Sequence, residues 1–392
     1  MRTSTLLLWI SVFLAQCSQT PATEAPAHIV VLDEIPAHIQ SLENLTVFPG
    51  DAKPTYSMEL VPVQSFGNND EFYARRIAGA TEDDQGRVLI TISALNYESS
   101  IHVFNDDGTY HSQLGRNGRG PGEYLAPYAL QEIGGTIFVL DARNYQLIEY
   151  STADYSFVRT TPIERWTPGL TTGFIQPRHD GHFLVLFPGD RSKLGWQYRE
   201  FQVMDADGNQ MPFSPLVFPF GFSVGVGETI RPSMPISFLG QTLTALSDED
   251  ELITAWSRDF LIKTYDASGE YRSAIYYPIQ SAVPFDFNVY SKGSPFVPPA
   301  AGDIETPDTF PIIDRLMVDD EHNIWVSVPV DPQPEFVEWW ILKKSGELLA
   351  KVELPRSKFI YDIRNGHVYG KKTNEETGTE YVVKYRMERT PS

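Results

Sequence analysis

The chain has 392 residues, 42% hydrophobic and 12% aromatic, enough for a substantial core and too apolar for a globally disordered chain. Its formal net charge of −20 repels nucleic acid and anionic lipid headgroups, and no run of Lys or Arg longer than a pair offsets it, which sets nucleic-acid binding aside. With a single cysteine, Cys17, no disulfide can support the fold.

In chain order, Arg2 precedes an apolar stretch over residues 6–15 that is too short to span a bilayer and reads as a signal peptide. It ends in Leu14-Ala15-Gln16-Cys17, which resembles the bacterial lipobox. The resemblance implies lipidation of Cys17, cleavage before it, and two or three acyl chains as a firm anchor. Ser18 stands at the next position rather than Asp, and the resemblance to Gram-negative lipoproteins then implies the outer membrane. Residues 18–41 are rich in Ala, Pro, Thr and Glu and are expected to form a flexible tether, with 29–32 capable of local pairing.

From residue 42 the expected fold is all-β. One unit recurs: a Gly or Asn turn, a short aliphatic strand, a polar gap, a second alternating strand, another Asp/Gly turn and a third strand. Clear copies begin at DDQGRVLITIS (83–93), IGGTIFVLDARNYQLIEYS (133–151), HDGHFLVLFPGD (179–190), DEDELITAWSRDFLIKTYD (248–266), DDEHNIWVSVPV (319–330) and IRNGHVYGKKT (363–373). Asp107-Gly108, Asp207-Gly208, Ser268-Gly269 and Ser345-Gly346 supply turns that tolerate positive φ. Units of about 45 residues, each a small antiparallel sheet, are the signature of a β-propeller, and the repeat predicts six blades. The orphan strand over 57–65 is expected to complete the last blade and close the ring.

Val139-Leu140-Asp141-Ala142-Arg143-Asn144-Tyr145-Gln146-Leu147-Ile148 resembles the NHL-repeat pattern, residues 257–262 give a looser version, and residues 114–127 resemble its inter-blade connection. Together with the lipobox, residues 42–387 are similar to six-bladed, NHL-like propeller lipoproteins of Bacteroidetes-like bacteria, with the strongest match in the first two blades and departures in the third and fifth. The resemblance implies a fold and no particular activity.

The decapeptide GRNGRGPGEY (115–124) resembles a phosphate loop only superficially: it lacks Gly-Lys-Ser/Thr, Glu123 stands where a dinucleotide loop needs its last glycine, and no helix follows. It reads as a corner between blades. Connections from each outer strand to the next inner strand should share one end of the propeller, and they are the long ones, with insertions at 217–242 and 280–313. They carry the binding candidates Arg75, Arg76, Arg116, Arg119, Arg165, Arg231, Phe220, Phe222, Phe287 and Tyr290, which would suit an anionic ligand; pairing of the arginines with neighbouring acids is the structural alternative. His179, His182, His322 and His367 fall in turns, as do the pairs Asp83-Asp84, Asp106-Asp107 and Asp319-Asp320, expected to be solvated. No zinc-protease or nucleophile-elbow spacing occurs. The expectation is a monomeric binding protein at the envelope, without cofactor, engaging a protein or small-molecule ligand through one loop-rich face. The alternative is a hydrolase or lyase of the propeller lactonase or amidating-lyase type with an axial Ca or Zn.

Overall fold

The computed structural model describes residues 28–391 apart from 69–71, 73, 75, 93–98, 164–174, 189–194, 224–236, 287–305, 331–335 and 356–358. Cys17 and the signal segment therefore lie outside the described residues, as do Arg75, Arg165, Arg231, Phe287 and Tyr290.

The described strands build a six-bladed β-propeller. The first blade comprises Ile77–Glu82, Val88–Ile92, Ser100–Phe104 and Tyr110–Leu114 in sequential antiparallel order. The second comprises Pro127–Ile133, Thr136–Asp141, Gln146–Ser151 and Phe157–Pro162; the third, Ile175–Pro177, Phe183–Pro188, Gly195–Met204 and Leu216–Ser223. The fourth has Thr242–Leu246, Leu252–Trp256, Leu261–Tyr265 and Tyr271–Tyr276, and the fifth Arg315–Val318, Ile324–Pro329, Phe336–Leu342 and Leu348–Pro355. The sixth takes Ile360–Arg364, His367–Thr373 and Glu380–Pro391 from the C-terminal end and its outermost strand, Tyr56–Phe66, from the N-terminal end. That strand pairs with Glu380–Pro391 from Phe66↔Val382 to Tyr56↔Pro391, so the predicted closure is present. The C-terminal strand runs four residues past Met387, where the repeat fades in the sequence.

The core is divided among the six seams between blades. Leu89, Ile101 and Val103 of the first blade meet Ile137, Val139 and Ile148 of the second. At the closing seam, Phe66, Tyr369 and Val382 meet Ile77, Val88 and Phe104. Both faces of each blade are thus covered, which explains why the inner strands read as nearly continuous apolar runs such as Val88-Leu89-Ile90. The hairpin turns use left-handed glycines where expected: Gly108, Gly208, Gly269 and Gly346 have φ of 83°, 84°, 82° and 96°.

Two local expectations change. Residues 28–41, assigned to a tether, are folded onto the ring. Ile29–Val31 pairs with Ile279–Ser281, the helix Ala37–Gln40 buries Ile39 against Leu261, Ala274 and Tyr276, and Leu45–Val47 adds a parallel fifth strand to the fourth blade. The cause is an open sheet edge on the fourth blade, which the strap covers. Second, Phe220 and Phe222 were assigned to an inter-blade insertion, but Leu216–Ser223 is the outermost strand of the third blade and both belong to it. Pro219 is compatible with a strand there because an edge strand has one side free of ladder bonds.

Candidate functional site

Antiparallel order places the turns between first and second strands at one end of the axis and the connections between blades at the other. At the turn end, the charged residues answer one another. Asp250 accepts the backbone N–H groups of His179 and Asp180 at 2.8 and 3.0 Å, joining the third and fourth blades. Lys344 lies 2.6 Å from both Glu249 and Glu251, joining the fourth and fifth. Asp320 accepts the Asn365 N–H at 2.7 Å, joining the fifth and sixth. Asn365 donates through Nδ2 to Glu82 at 2.8 Å, joining the sixth and first.

The densest part is at the closing seam. The Arg364 guanidinium donates to the carbonyl of Glu82 and, at 3.2 Å, to the carboxylate of Glu132 in the second blade. Asp362 accepts the Thr81 hydroxyl at 2.7 Å and lies 3.9 Å from Arg364. Lys384, almost fully buried, reaches Glu82 at 3.2 Å and Asp106 at 2.6 Å. Burial pushes the Asp362 carboxyl upward, although Arg364 and Thr81 oppose it. Burial alone would lower Arg364, but Asp362 and Glu132 outweigh it and hold the guanidinium above its usual range. These groups form a self-satisfied electrostatic plug. Among the described residues, no group of three or more His, Cys, Asp or Glu is arranged to hold a metal ion.

The sequence reading missed this cluster. Its signal was a charged residue at or near the last position of an inner strand in repeats one, two and six: Glu82, Glu132, Asp362 and Arg364. The paired carboxylates also differ from expectation. Asp83 and Asp319 are buried, not solvated. Each ties its own turn: Asp83 accepts from the N–H groups of Gln85 and Arg87, and Asp319 from Glu321, Asn323 and the Trp325 indole. Buried carboxylates persist there because their acceptor capacity is filled.

At the connection end, the glycine-rich decapeptide is a corner. Arg116 and Asn117 pair in parallel with Glu123 and Tyr124. Arg116 is held by Glu123 at 2.5 Å, and Glu123 also accepts the Gly120 N–H at 2.7 Å. Asp141, fully buried, accepts the N–H groups of Leu125 and Ala126, each at 2.9 Å, and the Asn144 amide at 2.7 Å. The Arg116 guanidinium and the Gly118 and Gly120 N–H groups are thus engaged within the chain. Arg76 and Arg119 are exposed on the same connections. The two large insertions meet there: Phe285 packs 4.6 Å from Phe238 and 5.0 Å from Phe310, ring centre to ring centre. Arg258 donates to the Thr309 carbonyl at 2.7 Å beneath them. Phe222 stands instead on the third blade, edge-on to Trp196 at 5.6 Å, and Phe220 lies under the guanidinium of Arg199. Among the described candidates, Arg76, Arg116 and Arg119 lie on the inter-blade connections, whereas Phe220 and Phe222 stand on the third blade.

A closed ring with one charge-compensated end and one end carrying extended connections defines the class: a six-bladed β-propeller. Residues 69–203 match a family described as 6-bladed beta-propeller. A Bacteroides fragilis protein described as exported is similar in fold, with a TM-score of 0.51 and 13% identity over 88% of this chain and 99% of that one. A Bacteroides vulgatus protein of another uncharacterised family has a TM-score of 0.49 and 12% identity over 86% of this chain and 100% of its own. The virginiamycin B lyase of Staphylococcus aureus has a TM-score of 0.38 and 11% identity over 86% of this chain and 89% of that one. No curated protein matches the chain.

Proposed function

We propose that this is a lipid-anchored envelope protein that binds a protein or small-molecule ligand through the connection-bearing end of its propeller. The observation that carries the reading is the contrast between the ends. The turn end spends its charges on internal pairs, whereas the opposite end carries the two insertions joined through Phe238, Phe285 and Phe310. Loops set on a rigid scaffold are where binding usually resides. The lipobox-like sequence ending at Cys17 supports the anchor, and the B. fragilis protein of similar fold, described as exported, is in keeping with an envelope location. Among the described residues, no helix is long and apolar enough to cross a membrane.

Two measurements test the reading. Cys17→Ser should move the protein from the membrane fraction to the soluble fraction and abolish incorporation of a labelled fatty acid; retention of the label would refute lipidation at Cys17. A photo-cross-linking residue at Arg119 should give a discrete adduct in cells, and one at Asp207, on a distal turn, should not. Adducts only from Asp207 would reverse the assignment of the binding end.

A further inference from the structure

We propose that a cavity between the third and fourth blades binds a small monoanionic organic acid with an aromatic or branched apolar body, its carboxylate paired with Lys263. The cavity measures about 270 Å³. Small-molecule sites start at roughly 300 Å³, so the ligand must be small.

Lys263 is the unusual feature. It lies in the middle of the third strand of the fourth blade, between Thr254 and Ala274 in the pairing register, and lines the cavity with its strand neighbours Leu261 and Tyr265. At the same register position in the second blade, two residues into the third strand, stands Ile148, fully buried in the seam with the first blade. At this position the fourth blade carries a cation where the second has a core hydrophobe and the first has His102. Lys263 is half-buried, its ammonium makes no hydrogen bond or ion pair among the described residues, and burial holds it below the usual lysine range. Such a group costs stability and contributes nothing to the fold, which a ligand carboxylate would reverse.

The rest of the lining fits that ligand. Phe218 and Tyr265 meet edge-on at 5.6 Å, and Trp256 continues the aromatic wall toward Trp196 at 5.9 Å. Thr242 and Thr254 add hydroxyls. Asp259 also lines the cavity, within 4.0 Å of His38 from the N-terminal strap and not paired with Lys263. Its carboxylate would repel a second negative charge, which selects a monoanion over a dianion. Its lining comes from strands of the two blades, from Asp259 in the turn after Trp256 and from His38 of the strap, so the proposal stands whether or not the inter-blade connections bind a partner.

Calorimetric titration of the full chain with phenylacetate tests the proposal. Saturable one-to-one binding is expected, weakened about tenfold or more by Lys263→Met and largely restored by Lys263→Arg, as for loss and recovery of a charge-assisted bond. Homophthalate and benzylamine should each bind about tenfold more weakly than phenylacetate. Lys263→Gln, neutral with a similar stem, provides the same comparison should Lys263→Met perturb folding. Absence of saturable phenylacetate binding, or affinity that both neutral variants leave unchanged, would overturn the assignment.

Discussion

Asp141 shows how one buried side chain can hold a whole connection. Its two oxygens receive backbone N–H groups from Leu125 and Ala126 on one side and from Arg143 on the other, together with the Asn144 amide. The Asn144 amide also donates to the Gly118 carbonyl, so the corner at residues 115–124 is fastened to the loop that follows the second strand of the second blade. Tyr150 adds a hydrogen bond to the Gly122 carbonyl at 2.9 Å, and Tyr124 to the Leu114 carbonyl at 2.8 Å. Gly115 is confined to glycine twice over, by a φ of 57° and by the Tyr150 hydroxyl occupying the space a Cβ would need. Asp141→Ala would strand at least two N–H donors in a buried setting, each costing about 1–3 kcal/mol. A loss of about 3 kcal/mol in chemical denaturation is expected, with Asp141→Asn losing less because its amide oxygen still accepts. This residue was legible in advance as part of a structural turn through the resemblance of residues 139–148 to the NHL-repeat pattern, which sets Asp141 and Asn144 in the turn after a strand. The Lys263 cavity was not, since a lysine in an alternating strand looks like a solvated residue until the neighbouring blade is in place.

At the scale of elements, six repeats and the closing strand could be read because turn chemistry and apolar strands recur locally. What failed to show was whatever depends on distant partners. Residues 28–41 read as part of a tether by composition, yet Ile39 is buried against Leu261, Ala274 and Tyr276, which are distant in the sequence. The strand Leu216–Ser223 was hidden by Pro219 and Gly221, which are poor strand formers except at an edge. The closing seam likewise joins the last blade to the first through Lys384, Glu82 and Asp106, a connection no local pattern announces. That seam bears a clear test. Lys384→Met leaves the buried carboxylate of Glu82 with Asn365 but without its cation, and breaking buried pairs costs about 3–5 kcal/mol. About 3 kcal/mol is expected here, since Asp106 is largely exposed and can rehydrate. Lys343→Met, which removes an exposed pair with Glu347, should change stability by less than about 1 kcal/mol. Equal effects of the two substitutions, measured by equilibrium unfolding, would show that the closing seam is not held electrostatically.

For the whole molecule, two populations of carboxylates pull the pH dependence of stability in opposite directions. In Asp319 and Asp362 burial is the largest influence and raises the folded-state pKa above the ordinary value. Such groups are a liability at neutral pH that is relieved as pH falls through their folded pKa. The net charge of −20 adds self-repulsion that also declines on acidification toward the isoelectric point at about 4.8. The turn aspartates behave in the reverse way. Asp266 is pushed up by burial, but hydrogen bonds from Ser268, the Glu270 N–H and Arg272 together outweigh this and hold it at about 2. Asp205 is lowered by Asn209 in the corresponding turn of the third blade. The stability these groups contribute is complete above the unfolded carboxyl value of about 3.9 and is lost as pH falls through their folded pKa toward about 2. Thermal unfolding should therefore show its highest midpoint near about pH 5, a lower one at neutrality and a steep fall below about pH 4. Two controls separate the causes. Added salt at neutral pH should raise the midpoint by screening the global charge. Asp266→Asn should flatten the acid limb and leave the neutral limb's shape unchanged, because the replacement no longer titrates. A midpoint that rises steadily from pH 5 to 8 would mean that the lowered carboxylates and internal ion pairs dominate, and that the charge of the ring is too well spread to matter.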